Sequence, residues 1–177
     1  MVRLPAVLAV ALAAALAGCG GGNGGPRPKP VSPAVLVNAV RATQAAGYTT
    51  TVGGSVDVQG QGFPIRGRGQ GGHIEVEVAG RRKVLDVSPA RLLAYARSVK
   101  SAGELGTETV DGVMTTHYDA EVRTPANLVR PAGDTIPVDV WVDASDRIRR
   151  VRARVTTPDF EAVPQVDLRA APRAPRP

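Results

Sequence analysis

Residues 136–143 read Ile-Pro-Val-Asp-Val-Trp-Val-Asp, and residues 147–155 read Arg-Ile-Arg-Arg-Val-Arg-Ala-Arg-Val. In both stretches apolar residues recur at every second position, and Ala144-Ser145-Asp146 between them has the composition of a turn. A period of two predicts β-strands whose side chains point alternately to the two faces of a sheet. The two stretches therefore predict an antiparallel hairpin with one buried face and one face in solvent.

The same period of two recurs in three other stretches, residues 48–59, 73–78 and 114–122. Two further stretches have helical spacing instead. Each follows a Ser-Pro pair, which suits a helix start, and each ends at a glycine, which gives predicted helices near 33–46 and 89–101. The order helix, strands, helix, strands predicts an α+β fold, with two main helices packed on one face of a curved antiparallel sheet.

The N-terminal residues predict export. Residues 4–16 form an apolar run that follows Arg3, is interrupted only by Pro5 and is too short to span a bilayer. Leu16-Ala17-Gly18-Cys19 resembles the bacterial lipobox, which implies cleavage before Cys19 and a diacylglycerol on its sulfur. Two acyl chains anchor a protein stably. The alternative is an ordinary secretory signal with a chance cysteine.

This resemblance sets the predicted domain organisation. Residues 1–18 are a lipoprotein signal peptide, and 19–32 are the lipidated Cys19 with a flexible Gly/Pro tether. Residues 33–168 form the folded domain, and the Arg/Pro-rich residues 169–177 form a disordered tail. The predicted location is the extracytoplasmic face of the bacterial cell membrane, to which the acyl chains on Cys19 anchor the protein.

Composition excludes several classes of protein. The net charge is +6, but the whole excess lies near the two ends of the chain, so no nucleic-acid partner is predicted. One cysteine rules out a disulfide framework. His73-x-Glu75-x-Glu77 and His117-x-Asp119 would make a metal site only if their strands were neighbours, and the alternative is a solvated polar face. The chain has no Gly-x-Ser-x-Gly or P-loop motif. No enzyme activity, cofactor or metal is predicted.

Two features of the first hairpin have open interpretations. Its second strand carries an arginine cluster, which either faces an anionic lipid headgroup or membrane, or forms a solvated edge face balanced by aspartates of the partner strand. The arginines are Arg147, Arg149, Arg150, Arg152 and Arg154, and the aspartates are Asp139, Asp143 and Asp146. Trp141 either covers these arginines through cation–π contacts or lines the mouth of a ligand site.

The second half of the chain resembles a known family. Residues 108–112 read Glu-Thr-Val-Asp-Gly, residues 116–118 read Thr-His-Tyr, and the hairpin of residues 136–151 follows. With the lipobox, these motifs resemble the actinobacterial lipoprotein family of LppX, LprA, LprF and LprG. The resemblance implies a half-open antiparallel barrel, related in shape to periplasmic lipoprotein carriers, with an apolar cavity on its concave face. Some members carry diacylated or polyacylated lipids across the cell envelope.

The middle of the chain departs from the family pattern. About 25 residues separate the second strand from Ser88, fewer than the family uses, and residues 60–72 contain six glycines, which weaken a strand. A smaller sheet is therefore expected, with a smaller cavity or none.

The resemblance implies that the protein binds or carries a lipid or other acylated ligand. Eight residues are predicted to line the cavity: Val52, Val56, Leu92, Leu93, Val99, Tyr118, Val138 and Val140. The alternative for these residues is a plain domain core. The alternative function is a tethered interaction module with a filled core, which docks a membrane or cell-wall protein.

Overall fold

The structure is a computed structural model, which describes residues 27–70, 73–78, 80–86, 96–124 and 133–170. These residues contain one helix, α1 (Ala34–Ala46), and eleven strands. The strands are β1 (Lys29–Val31), β2 (Tyr48–Val58), β3 (Gln61–Gln70), β4 (His73–Val78), β5 (Arg81–Asp86), β6 (Val99–Val110), β7 (Val113–Arg123), β8 (Thr135–Asp143), β9 (Ile148–Ala153), β10 (Val155–Thr156) and β11 (Glu161–Ala170). No helix in these ranges is long and apolar enough to cross a bilayer.

All the strands belong to one antiparallel sheet. Its order is β1-β6-β7-β8-β9-β11-β2-β3-β4-β5, with the short β10 paired to β11. The two end strands, β1 and β5, do not pair with each other within the described residues, so the sheet is open rather than a closed barrel. The predicted α+β class with a curved antiparallel half-barrel is confirmed.

The first predicted helix is confirmed as α1, which packs against β9 over the middle of the sheet. Leu36, Ala39 and Val40 are buried on its inner side. Thr43 Oγ1 donates a hydrogen bond to the Ala39 carbonyl (2.7 Å) and accepts one from the Ile148 amide of β9 (2.8 Å). A buried hydroxyl with both partners satisfied fixes the helix on the strand.

Residues 89–95, more than half of the second predicted helix, lie outside the described residues. Its predicted end at residue 101 is wrong, because β6 begins at Val99. Val99 pairs with Val122 and Ser101 pairs with Glu121 of β7. The β-branched Val99 favours a strand, and cross-strand pairing outweighs the helical spacing of the apolar residues.

The expectation that the glycines of residues 60–72 weaken any strand through this stretch is also wrong. Residues 61–86 form three strands, and β3 runs through the glycine-rich stretch in register with both β2 and β4. Gly67 and Gly69 lie where β4 approaches β3 so closely that a Cβ atom would overlap its backbone. These glycines therefore permit the pairing that glycine was expected to weaken.

The boundaries of the folded region differ from the predicted ones. Lys29–Val31 fall in the predicted tether but pair with β6 as strand β1. Strand β11 continues past Leu168 to Ala170, which pairs with Tyr48. The ordered sheet therefore begins before residue 33 and ends after residue 168.

Candidate functional site

The predicted cavity residues lie on the apolar face of the sheet, as far as the structure describes them. Those described belong to one hydrophobic core: Val52, Val56, Val99, Tyr118, Val138 and Val140. The valines of β2 and β8 are at most 5% exposed, and Val99 and Tyr118 are partly buried against the same core. Leu92 and Leu93 lie outside the described residues. The sheet brings together residues that are distant in sequence, and their role as a lining stays a prediction.

A recess of about 580 Å³ lies on the opposite face of the sheet. It is lined by Thr51, Val52, Arg66, Gly67, Arg68, Glu75, Glu77 and Arg82. The charged side chains of this group alternate along β3 and β4 with buried Ile65, Ile74 and Val76, so they point away from the core. Charged side chains line this recess on the opposite face from the core, so it is not the apolar cavity that the sequence predicts.

A second polar cluster, the His117 network, lies on the polar face of β6, β7, β8 and β9. The His117 ring bonds two carboxylates: Nδ1 lies 2.9 Å from Glu108 Oε1, and Nε2 lies 2.9 Å from Asp139 Oδ1. Trp141 Nε1 donates to the other oxygen of Glu108 at 3.0 Å. Arg152 donates from Nε and Nη2 to Asp139 Oδ2, at 3.0 and 2.8 Å. Five side chains from four strands thus form one connected network.

The charges in the His117 network support one another. Burial by itself lowers the pKa of His117, but hydrogen bonds and charges from Asp139 and Glu108 outweigh burial and raise the pKa above 6.5. Burial raises the pKa of Asp139, but His117 and Arg152 outweigh it and hold the pKa below its ordinary value. The hydrogen bond from Trp141 is the main cause that lowers the pKa of Glu108. The geometry therefore favours a protonated imidazole between two carboxylates.

The Trp141 ring packs against His117 and the arginines of β9. Its ring stacks on His117 at a centroid distance of 4.3 Å and an interplanar angle of 14°. The guanidinium carbons of Arg152 and Arg150 lie 5.4 and 6.0 Å from the ring centre. Both distances fall within the cation–π range, which agrees with the interpretation of Trp141 as a cover for the arginines.

The arginine cluster of β9 is largely paired with acids. Arg149 bonds Asp143 at 2.7 Å, and Arg152 bonds Asp139, as the charge balance of the hairpin predicts. Arg150 pairs instead with Asp167 of β11 at 2.6 Å. The prediction of an edge face is wrong, because β9 lies between β8 and β11 inside the sheet.

The metal-site hypothesis fails on topology. Strand β4, which carries His73, pairs with β3 and β5, whereas β7, which carries His117, pairs with β6 and β8. Both ring nitrogens of His117 are engaged by carboxylates. Across the described ranges, no group of three or more candidate ligands converges on one point.

The sequence analysis did not predict that part of the polar face of the sheet is buried. Alternation places His117, Asp139 and Trp141 on the polar face, where solvent was predicted, yet their exposures are 8%, 5% and 3%. These three side chains are buried because the indole ring stacks on His117 and their polar atoms have hydrogen-bond partners. One signal was present in the sequence: a tryptophan at a polar-face position between a histidine and arginines on adjacent strands.

Fold and site together define a class of protein: an open antiparallel sheet with an aliphatic face on one side and charged clusters on the other. The chain is similar to several solved structures, among them lipoprotein LppX of Mycobacterium tuberculosis. The two sequences are 19% identical, and the alignment covers 81% of this chain and 99% of LppX with a TM-score of 0.47. LprF of Mycobacterium bovis has 14% identity, with 84% and 99% covered and a TM-score of 0.48.

A third similar structure is MucB in complex with MucA(peri), with 13% identity, 81% of this chain and 57% of that chain covered, and a TM-score of 0.37. LppX and LprF are members of the family that the sequence motifs resemble, and these likenesses concern the fold. No family model matches the sequence, and a search of curated proteins finds no relative.

Proposed function

We propose that the protein is a membrane-anchored extracytoplasmic lipoprotein that binds a lipid or other acylated ligand on the apolar face of its sheet. The binding would be non-enzymatic. Burial of acyl chains would supply the affinity, at about 0.8 kcal/mol for each methylene removed from water. Anchoring would come from acyl chains on Cys19, which lies outside the described residues.

The observation that carries this proposal is the size of the aliphatic face relative to the helix that packs on it. The ten strands in the main path of the sheet span about 43 Å across the strands. Helix α1 has 13 residues and is about 20 Å long. Even if it lay straight across the strands, α1 would span less than half of this width. Valine, isoleucine, leucine and alanine make up most of the core, and such a surface suits alkyl chains.

The proposal is tested by asking whether lipid co-purifies with the protein. The chain from residue 20 onward, which contains every described element, is expressed in a lipid-rich bacterial host and examined by native and denaturing mass spectrometry. We expect about one acyl lipid for each protein molecule. Val140→Phe places a larger side chain on the apolar face and should remove the lipid, whereas Val84→Phe should retain it because Val84 is 65% exposed on β5.

A second variant on the apolar face helps to distinguish loss of lipid binding from unfolding of the protein. Val99→Phe changes a partly buried position at the margin of the core, where a larger ring is tolerated better than at Val140. Circular dichroism establishes that each variant is folded. A clean apo mass for the folded wild type after exposure to envelope lipids would contradict the proposal.

A specific observation favours a second function, the tethered interaction module. Val52, Val56, Val138 and Val140 are at most 5% exposed, which is what a filled core requires. In that case the same mass spectra would show no lipid, and the three phenylalanine variants would differ only in stability.

Anchoring has its own test. Replacing Cys19 with alanine removes the only thiol of the chain. We expect the wild type to partition with the membrane and into detergent, and the Cys19→Ala variant to lose its acyl chains. Equal partitioning of both would contradict lipidation at this residue.

A further inference from the structure

The recess on the polar face of β2–β5 has a distribution of charge that suits an anion. It is lined by three arginines, two glutamates and Thr51. Arg82 engages both glutamates, with Nε 3.2 Å from Glu77 Oε2 and Nη1 3.8 Å from Glu75 Oε1. Glu75 and Glu77 lie opposite Arg68 and Arg66 in the ladder, but their ion-pair contacts are with Arg82 of β5.

The two arginines of β3 remain available. Arg66 and Arg68 line the recess and are exposed, and neither has an ion pair or side-chain hydrogen bond within the part of the chain that the structure describes. They stand two positions apart on one strand face, so their Cα atoms are about 7 Å apart. Thr51, whose side chain carries a hydroxyl donor, is the β2 partner of Arg68 in the ladder.

We propose that this recess is a binding site for a phosphate group. A guanidinium presents two parallel N–H donors to a pair of oxygens, and phosphate has enough oxygens for two such forks. A carboxylate has only two oxygens and is filled by one arginine. The spacing of Arg66 and Arg68 on one face therefore favours phosphate over carboxylate.

This site is separate from the proposed acyl site, because its charged side chains lie on the opposite face of the sheet from the apolar core. Its phosphate would come either from the headgroup of an anionic phospholipid or from a soluble phosphate compound. Both sources share the chemistry that the two arginines recognise.

The test measures binding of two probes to the chain from residue 20 onward. One probe is inorganic phosphate, followed by isothermal titration calorimetry. The other is a vesicle of phosphatidylcholine with phosphatidylglycerol, compared with a vesicle in which oleate supplies the same negative charge. We expect the protein to bind at least one phosphate probe, and to bind phosphatidylglycerol vesicles more tightly than oleate vesicles if the lipid is the source.

The variant Arg66→Gln/Arg68→Gln should weaken this binding by at least about tenfold for each arginine, because each loses charge-assisted hydrogen bonds. The matched control is Arg97→Gln/Arg123→Gln, which removes the same charge from exposed positions outside the recess. It should bind as the wild type does. All four side chains are exposed, so thermal melting should be similar for both variants.

Each outcome decides the proposal. Binding of either phosphate probe that depends on Arg66 and Arg68 but not on the control arginines supports it, and the probe identifies the source. Equal losses in the two double variants overturn it. So does the absence of inorganic phosphate binding together with equal binding, or no binding, of the phosphatidylglycerol and oleate vesicles.

Discussion

Two glycines of strand β3 should respond in opposite ways to the same substitution. At Gly69 an added Cβ atom would overlap the His73 carbonyl oxygen and would lie 2.8 Å from Ile74 Cα, both on β4. At Gly62 an added Cβ atom would meet nothing within 4 Å. Neither glycine has a positive φ. The two positions therefore differ in the space around them and not in backbone conformation.

The expected magnitudes follow from this difference. Gly62→Ala should stabilise the protein by about 0.5–1 kcal/mol, because alanine loses less backbone freedom on folding than glycine does. Gly69→Ala forces β3 and β4 apart, and overpacking of this kind costs about 1–3 kcal/mol. The two variants should therefore differ by about 1.5–4 kcal/mol in the free energy of unfolding.

Urea denaturation followed by circular dichroism measures this difference. Gly67→Ala serves as a second case, because its Cβ atom would lie 2.5 Å from the Glu75 carbonyl oxygen, and it should behave like Gly69→Ala. If Gly69→Ala is as stable as Gly62→Ala, β4 does not approach β3 as closely as described, and the reasoning is refuted.

Three further predictions concern buried polar groups. The pKa of His117 is raised on folding, so its contribution to stability is fully present below pH about 6.5 and is lost as the pH rises through the folded-state pKa. His117→Gln should therefore cost most in acid, and a urea series across pH that shows a constant cost would contradict this. Asp139→Asn should cost about 3–5 kcal/mol, because it breaks a buried ion pair, whereas Asp111→Asn, at an exposed pair, should cost at most about 1 kcal/mol. Equal costs by thermal melting would refute that ranking. Thr43→Val should cost about 1–3 kcal/mol, since it leaves the buried Ile148 amide without its acceptor, and a variant as stable as wild type would show that the bond is dispensable.

The His117 network and the recess divide the polar face into two regions with different chemistry. In the network each charged side chain is paired with another member, so that region stabilises the sheet. In the recess Arg66 and Arg68 are exposed and lack such partners among the described residues. The second region is therefore the one able to bind an anion.

The amino-acid sequence by itself determined which residues form strands and which face each one takes in much of the sheet. The helix around Leu36 and Val40, the hairpin of β8 and β9, and the inward direction of Val138 and Val140 all follow from local periodicity. Periodicity is visible without a structure because it depends on neighbours a few positions away.

Only the tertiary structure decided which residues the side chains on each face of the sheet contact. No local pattern indicates that Glu108 bonds His117 or that Gly69 lies against the backbone of β4, because these contacts depend on strand order and on the distance between strands. The burial of Asp139 on the polar face likewise requires His117, on which Trp141 stacks, and Arg152 from the next strand. Local patterns fix the direction of a side chain, but its partners come from other strands, and the packing of the whole sheet selects them.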